Sequence, residues 1–233
     1  MADTGAPRQM PLDLALSPKL SRDDIIVGKS NRAAVAIIDH WPAWRSPIVV
    51  LAGPNGSGKT HLAQAWAGKA HALALNAAEL ASFTIPAASS QAFLVEDIGE
   101  AALDEAALFH LANSVRQHGG SLLLTSKLRP SSWSFALPDL NSRLQSATIV
   151  EIAEPDDALL LAVLAKLFAD RQVIVEANVS EYLVTRMERS FSEAVRIVDL
   201  LDALALEKKA RITRALAASL FAAGDPRQSE LGF

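Results

Sequence analysis

The stretch GPNGSGKT, residues 53–60, directly follows the apolar run SPIVVLA at 46–52. This junction constrains the fold more than any other part of the chain. It demands a buried strand that ends in a tight glycine turn and then opens a helix. Glycines let backbone N–H groups converge on an anion without a Cβ in the way, and the start of a helix points the positive end of its dipole at the same place. The spacing predicts a phosphate cradle of Gly53, Asn55, Gly56, Ser57 and Gly58. Lys59 would reach the β and γ phosphates of ADP or ATP, the Thr60 hydroxyl would ligate Mg²⁺, and His61 follows in the first helical turn. The motif alone leaves open whether the nucleotide is hydrolysed or only held.

Further short apolar runs follow the same rhythm: HALALNA (71–77), AFLVEDI (92–98), SLLLTS (121–126) and TIVEIA (148–153). They read as buried strands and alternate with helical patterns such as DEAALFHLANSVRQHG (104–119). Alternation of this kind predicts an α/β fold, a parallel sheet with helices on both faces. After Pro155 only helical periodicity remains: 156–172, 179–189, and one long amphipathic stretch from Ser192 to about Ala222. Ser190 and Glu193 have capping-box spacing at the start of that stretch. The expected organisation is an extended tail at 1–24, an α/β nucleotide-binding domain at 25–154, a small all-helical domain at 155–223 and a second tail at 224–233.

Composition narrows the function. A chain of 233 residues that is 50% apolar and only 6% aromatic can bury a sizeable, mainly aliphatic core. Without cysteine it has no disulfides, thiolate metal sites or thiol nucleophile. The N-terminus MADTGAPRQM lacks the apolar stretch of a signal peptide, and no apolar window approaches the length of a membrane span, so a cytoplasmic protein is expected. A net charge of −4 argues against a protein whose main task is neutralising DNA phosphates.

Glu96 and Asp97 close the apolar strand AFLVEDI downstream of the glycine loop. One carboxylate of such a pair can organise Mg²⁺ while its neighbour orients an attacking water. With both nucleotide motifs in place, most of the chain resembles the DnaA-related AAA+ family of replication initiation, and within it the Hda-like regulatory inactivators of the initiator. The resemblance implies a P-loop AAA+ domain followed by a helical lid. DDIIVGKSNRAAV (23–35) is similar to the family's adenine-side motif, which implies Val27, Gly28, Lys29 and Asn31 near the base. LLLTSKLRP (122–130) resembles the sensor 1 strand, with Ser126 and Lys127 near the γ-phosphate. PDLNSRLQS (138–146) resembles the segment that presents an arginine finger, with Arg143 in that role. FSEAVRIVDLLD (191–202) resembles sensor 2, with Arg196 facing the nucleotide. Two departures, Lys127 where relatives have a neutral or acidic residue and Glu96 where Asp is usual, imply weak or no intrinsic ATPase.

The initiator continues into a helix-turn-helix DNA-binding domain, whereas this sequence stops at Phe233. The expectation is the shorter, Hda-like layout, whose members carry a peptide for the DNA polymerase sliding clamp near the N-terminus. QMPLDL (9–14) fits that peptide, with Gln9 as polar anchor and Leu12 and Leu14 as apolar plugs, and QSELGF (228–233) fits the same pattern. The implied partners are the sliding clamp and the initiator DnaA, with DNA reached only indirectly and a homo-oligomer open. The implied activity is stimulation of the initiator's ATP hydrolysis through Arg143. Two rival readings are an autonomous ATPase of the clamp-loader or helicase-loader type and a small DNA-binding initiator fragment.

Overall fold

The computed structural model describes residues 21–84, 90–99, 103–129 and 132–222. Five strands, β1 (Ile48–Ala52), β2 (Leu73–Asn76), β3 (Ala92–Glu96), β4 (Ser121–Ser126) and β5 (Thr148–Glu151), form one parallel sheet in the order β2-β3-β4-β1-β5. Each lies inside one of the apolar runs. The central strands need apolar side chains on both faces, and every residue of β1 is buried. The runs HALALNA and TIVEIA supply the two edge strands, whose residues alternate between half-buried and exposed. Strand order sets this difference, because an edge strand is covered less fully than a central one.

The alternating residues of the central strands feed two layers. Val49, Leu51, Leu94 and Leu123 face α1 (Arg32–His40) and α2 (Lys59–Ala70), packing with Val35, Ile38, Leu62 and Trp66. Ile48, Val50, Phe93, Val95 and Leu124 face α3 (Glu105–His118) and α4 (Pro138–Gln145), packing with Leu108, Leu111, Leu140 and Leu144. The core is aliphatic except for a few anchors. Trp66 is fully buried, stacks on Trp44 with centroids 5.2 Å apart and meets Trp41 edge-on at 6.3 Å. Asp104 caps α3 by accepting from the Ala107 N–H, and Gly119 ends the helix in the left-handed conformation, φ 74°.

Residues 156–222 are helical, as α5 (Asp157–Asp170), α6 (Ala177–Val184), α7 (Phe191–Lys208) and α8 (Arg214–Ala222). Leu160, Leu164, Phe168, Leu183, Ile197 and Leu201 form a separate apolar core. The amphipathic stretch from Ser192 to about Ala222 folds as two helices. Lys209 turns left-handed at φ 47°, and buried Ile212 anchors the connection before α8. Ser190 caps α7, its Oγ accepting from the Glu193 N–H at 3.1 Å. The Glu193 carboxylate does not close the capping box; it turns along the helix to Arg196. Among the described residues no helix is long and apolar enough to cross a membrane.

Candidate functional site

The glycine loop leaves β1 at the edge of the sheet where the strands end. Gly53 donates its N–H to the Ser126 carbonyl at 3.1 Å, and a Cβ on it would sit 2.4 Å from the Ile152 carbonyl oxygen. Only glycine threads this gap between β4 and the end of β5. Gly56 and Gly58 take φ values of 69° and 92°, in the left-handed region where other side chains are strained. Lys59 opens α2 and is only 6% exposed. Its Nζ donates to the carbonyls of Gly53 and Pro54, each at 2.8 Å, so the ammonium lies along the loop. Ser57 is 1% exposed, and its Oγ has no hydrogen-bond partner among the described residues. A buried hydroxyl without a partner is costly. Together with the left-handed glycines and the buried ammonium, it fits a loop built to hold phosphate. Asn55 and Thr60 are exposed at the loop. His61 Nε2 lies 3.3 Å from the Ser21 carbonyl oxygen, toward the N-terminal segment.

β3 and β4 bring the carboxylates beside this loop. Glu96 ends β3 and accepts a hydrogen bond from Gln64 of α2 at 3.2 Å. Burial pushes its carboxyl above the usual range and the neighbouring Asp97 charge adds to this, while the bond from Gln64 works the other way. Asp97 is exposed, adopts φ 56° and donates its N–H to Thr125 Oγ1 at 2.9 Å. Ser126 lies at the end of β4 and is fully buried. Its hydroxyl donates to the Ile98 carbonyl at 3.0 Å and accepts from the Leu128 N–H and from Trp133 Nε1, both at 3.1 Å. Lys127 is half-buried next to it.

Two further segments complete this end of the sheet: residues 26–31, where the Ser30 carbonyl accepts from the Ala153 N–H at 3.3 Å, and the start of α7. In residues 26–31, the Asn31 side chain accepts from the Gly28 N–H and donates to the Ile26 carbonyl, both at 2.8 Å, and holds the turn closed while itself only 3% exposed. Val27 and Lys29 are exposed on that turn. A Cβ on Gly28 would lie 2.7 Å from Leu159 of α5. Lys166 of α5 pairs with Asp24 at 3.0 Å. From the other side, the start of α7 sits on the loop. The Phe191 N–H donates to the Gly56 carbonyl at 2.8 Å, and a Cβ on Gly56 would lie 2.3 Å from that of Ser190. Arg196, about one turn further on, forms two bonds to Glu193 at 2.7 Å.

Arg143 is not part of this cluster. All strands are parallel, so the glycine loop lies where they end, whereas Arg143 occupies the last turn of α4 just before β5 begins. It is half-buried and has no ion-pair partner among the described residues. Gln9, Leu12, Leu14 and the segment 228–233 lie outside the described residues. Local sequence reading missed Phe191, which reaches the loop only through the packing of the helical part, and Trp133. A tryptophan in a serine-rich loop carries an N–H that needs a partner when half-buried, and that was the available signal.

No family model matches the chain. It is 29% identical over 187 residues to an uncharacterized protein of Haemophilus influenzae, covering 72% of this chain and 79% of that one. It is 26% identical over 211 residues to the chromosomal replication initiator protein DnaA of Clavibacter sepedonicus, covering 78% of this chain. The chain spans only 44% of that initiator's length. Among solved structures, domain III of DnaA from Thermotoga maritima superposes with a TM-score of 0.74 at 17% identity, over 87% of this chain and 95% of that one. A DnaA bound to AMPPCP and single-stranded DNA gives 0.71 at 20% identity, over 82% and 68%. The chain is therefore similar in sequence to DnaA and has the fold of DnaA domain III.

Proposed function

We propose that this protein is a nucleotide-loaded, cytoplasmic AAA+ regulator of chromosome replication initiation that binds the sliding clamp and stimulates ATP hydrolysis on DnaA, preventing re-initiation. The observation that carries the reading is the location of Arg143. It sits at the edge of the sheet opposite the chain's own phosphate loop, with no ion pair to a described residue, and so suits the nucleotide site of a partner. A guanidinium supplied in trans cancels charge on the transferring phosphoryl group and is worth ~10³ to 10⁵ in rate. Its planar fork spans two oxygens, which a lysine does not.

Within the chain, the Gly53–Gly58 loop and Lys59 hold phosphate. In this reading Thr60 and Glu96 would ligate Mg²⁺, and Asp97 would orient water. Val27, Gly28, Lys29 and Asn31 form the base side, and Arg196 would approach from the helical lid. Mg²⁺ held with the nucleotide would supply the positive charge that favours an ionised Glu96. The occurrence of this fold in a DnaA that binds AMPPCP supports an adenine nucleotide as ligand. Gln9, Leu12 and Leu14 would tether the protein to the clamp, which raises its concentration beside DNA-bound initiator without a large interface. The segment 228–233 is a second candidate peptide.

The competing reading is an autonomous ATPase of the clamp-loader or helicase-loader type, favoured by the exposure of Asp97 beside the chain's own loop. A turnover assay on the protein alone, paired with ADP calorimetry, separates the two. Tight ADP binding with negligible turnover is the expected result; fast, clamp-independent hydrolysis selects the autonomous enzyme.

A further inference from the structure

We propose that Trp133 is a positioning residue that couples occupancy of the phosphate site to the placement of α4, and so of Arg143; the inference rests on the nucleotide-binding reading above. The indole N–H donates to Ser126 Oγ, which also accepts from the Leu128 N–H and donates to the Ile98 carbonyl. A hydroxyl has one proton and two lone pairs, so these three bonds fill it. Ile98 follows Asp97, and the backbone N–H groups of both are tied to Thr125. A displacement of Asp97–Gly99 toward a ligand therefore moves Ser126 or breaks its bond to Ile98, and in either case the indole loses or follows its acceptor.

Beyond Trp133 the path to Arg143 is short and stiff. The indole packs on Phe135 with centroids 5.5 Å apart, and it covers Gly99, where a Cβ would lie 3.6 Å from Trp133 Cδ1. The Phe135 carbonyl accepts from Asn141 Nδ2 of α4 at 3.1 Å. The two carboxylate oxygens of Glu105 accept from the Ala136 and Leu137 N–H groups at 3.0 and 2.7 Å, which pins the start of α4. A carboxylate there also complements the helix dipole. α4 has 8 residues and carries Arg143 in its last turn. A cavity of about 440 Å³, lined in part by Leu103, Leu128, Trp133 and Phe135, lies alongside, so the indole can shift without displacing the packed core.

The test uses the full chain labelled with 5-fluorotryptophan and titrated with ADP and Mg²⁺. Of the 4 tryptophans, Trp41, Trp44 and Trp66 form one cluster by the end of α2 and serve as internal controls. The ¹⁹F resonance of Trp133, assigned by its absence in Trp133→Phe, should shift on ADP binding while the other three stay nearly fixed. Amide exchange in α4 should slow about five-fold with ADP in the wild-type protein. In Trp133→Phe, which keeps the ring and loses the N–H, that slowing should fall below about two-fold although ADP affinity changes little. ADP binding without a Trp133 shift, or full α4 protection in Trp133→Phe, overturns the coupling and leaves the nucleotide-binding reading intact. Failure of the wild-type protein to bind ADP at all overturns both. If Trp133→Phe folds poorly, Trp133→Tyr supplies the assignment, and the wild-type ¹⁹F response then decides the matter.

Discussion

The Phe191 N–H and the Gly56 carbonyl are joined by a 2.8 Å hydrogen bond, which sets the first turn of α7 directly on the phosphate loop. Gly56 leaves no room for a side chain at this contact: its φ is 69°, and a Cβ would stand 2.3 Å from that of Ser190 and 2.8 Å from Ser192 Oγ. The helical part therefore touches the loop directly through its backbone. Gly56→Ala should cost about 1–3 kcal/mol from backbone strain before the clash is counted, lowering the melting temperature by roughly 2–4 °C per kcal/mol. ADP affinity should fall with it. Gly68, on α2 with open space around it, is the control; Gly68→Ala should be neutral or stabilising by up to about 1 kcal/mol. Thermal melts of the two variants check both expectations.

Lys59 is almost fully buried and already bonded to two loop carbonyls. Lys59→Ala should weaken ADP binding by about 10- to 100-fold, the scale of a charge-assisted hydrogen bond of about 1.5–3 kcal/mol. Titration calorimetry measures it. Unchanged affinity would remove the loop from the binding site.

Glu96 gives a pH dependence whose sign is fixed by its environment. Burial, aided by the Asp97 charge, raises its carboxyl above the unfolded value, so folding favours the protonated form. Its contribution to stability is present below the unfolded value of about 4.3 and is lost as pH rises through the folded value. Glu96→Gln removes that loss. The variant should melt above the wild type at neutral pH without Mg²⁺ and nucleotide, and the two should converge near pH 3, well below the unfolded value of about 4.3, where the glutamate is protonated in both states. Melting curves across this range, in which the wild type proves the more stable at neutral pH, would contradict the assignment of desolvation as the main cause.

The tail residues Gln9 and Leu12 are expected to act on the clamp and not on the fold. Gln9→Ala with Leu12→Ala should abolish clamp binding in a pull-down while shifting the melting temperature by less than about 1 °C, since terminal tails add little to a core. Clamp binding that survives this change and disappears only on deletion of 228–233 would transfer the role to the other tail.

Much of the fold was legible because its signals are local. SPIVVLA and SLLLTS are short apolar runs beside turn residues, and each became a central strand. Ser190 announced the start of α7 by its spacing to Glu193. What local reading could not supply is order and orientation. Nothing in HALALNA or TIVEIA states that these strands lie at the edges, because that follows from which strand pairs with which. The amphipathic pattern after Ser192 does not say where it is interrupted; the break falls at Lys209, a residue with no special left-handed preference, with buried Ile212 just beyond it. At the site, the loop glycines declared themselves by conformation. The partners of Gly56 and Ser126, Phe191 and Trp133, come from distant or irregular segments that only tertiary packing brings together.

The central claim is that Arg143 acts on a partner's nucleotide and not on its own. Arg143→Ala should leave folding, ADP binding and clamp binding intact, because the residue is remote from the phosphate loop and makes no ion pair with a described residue. The decisive measurement is single-turnover ATP hydrolysis on DnaA, with DNA-loaded clamp present and the variant titrated in. Stimulation should be lost with Arg143→Ala and scarcely restored by Arg143→Lys, since a methyl cannot cancel the developing charge and a point charge does not reproduce the planar fork. Undiminished stimulation by Arg143→Ala would contradict the claim and leave the autonomous ATPase as the better account.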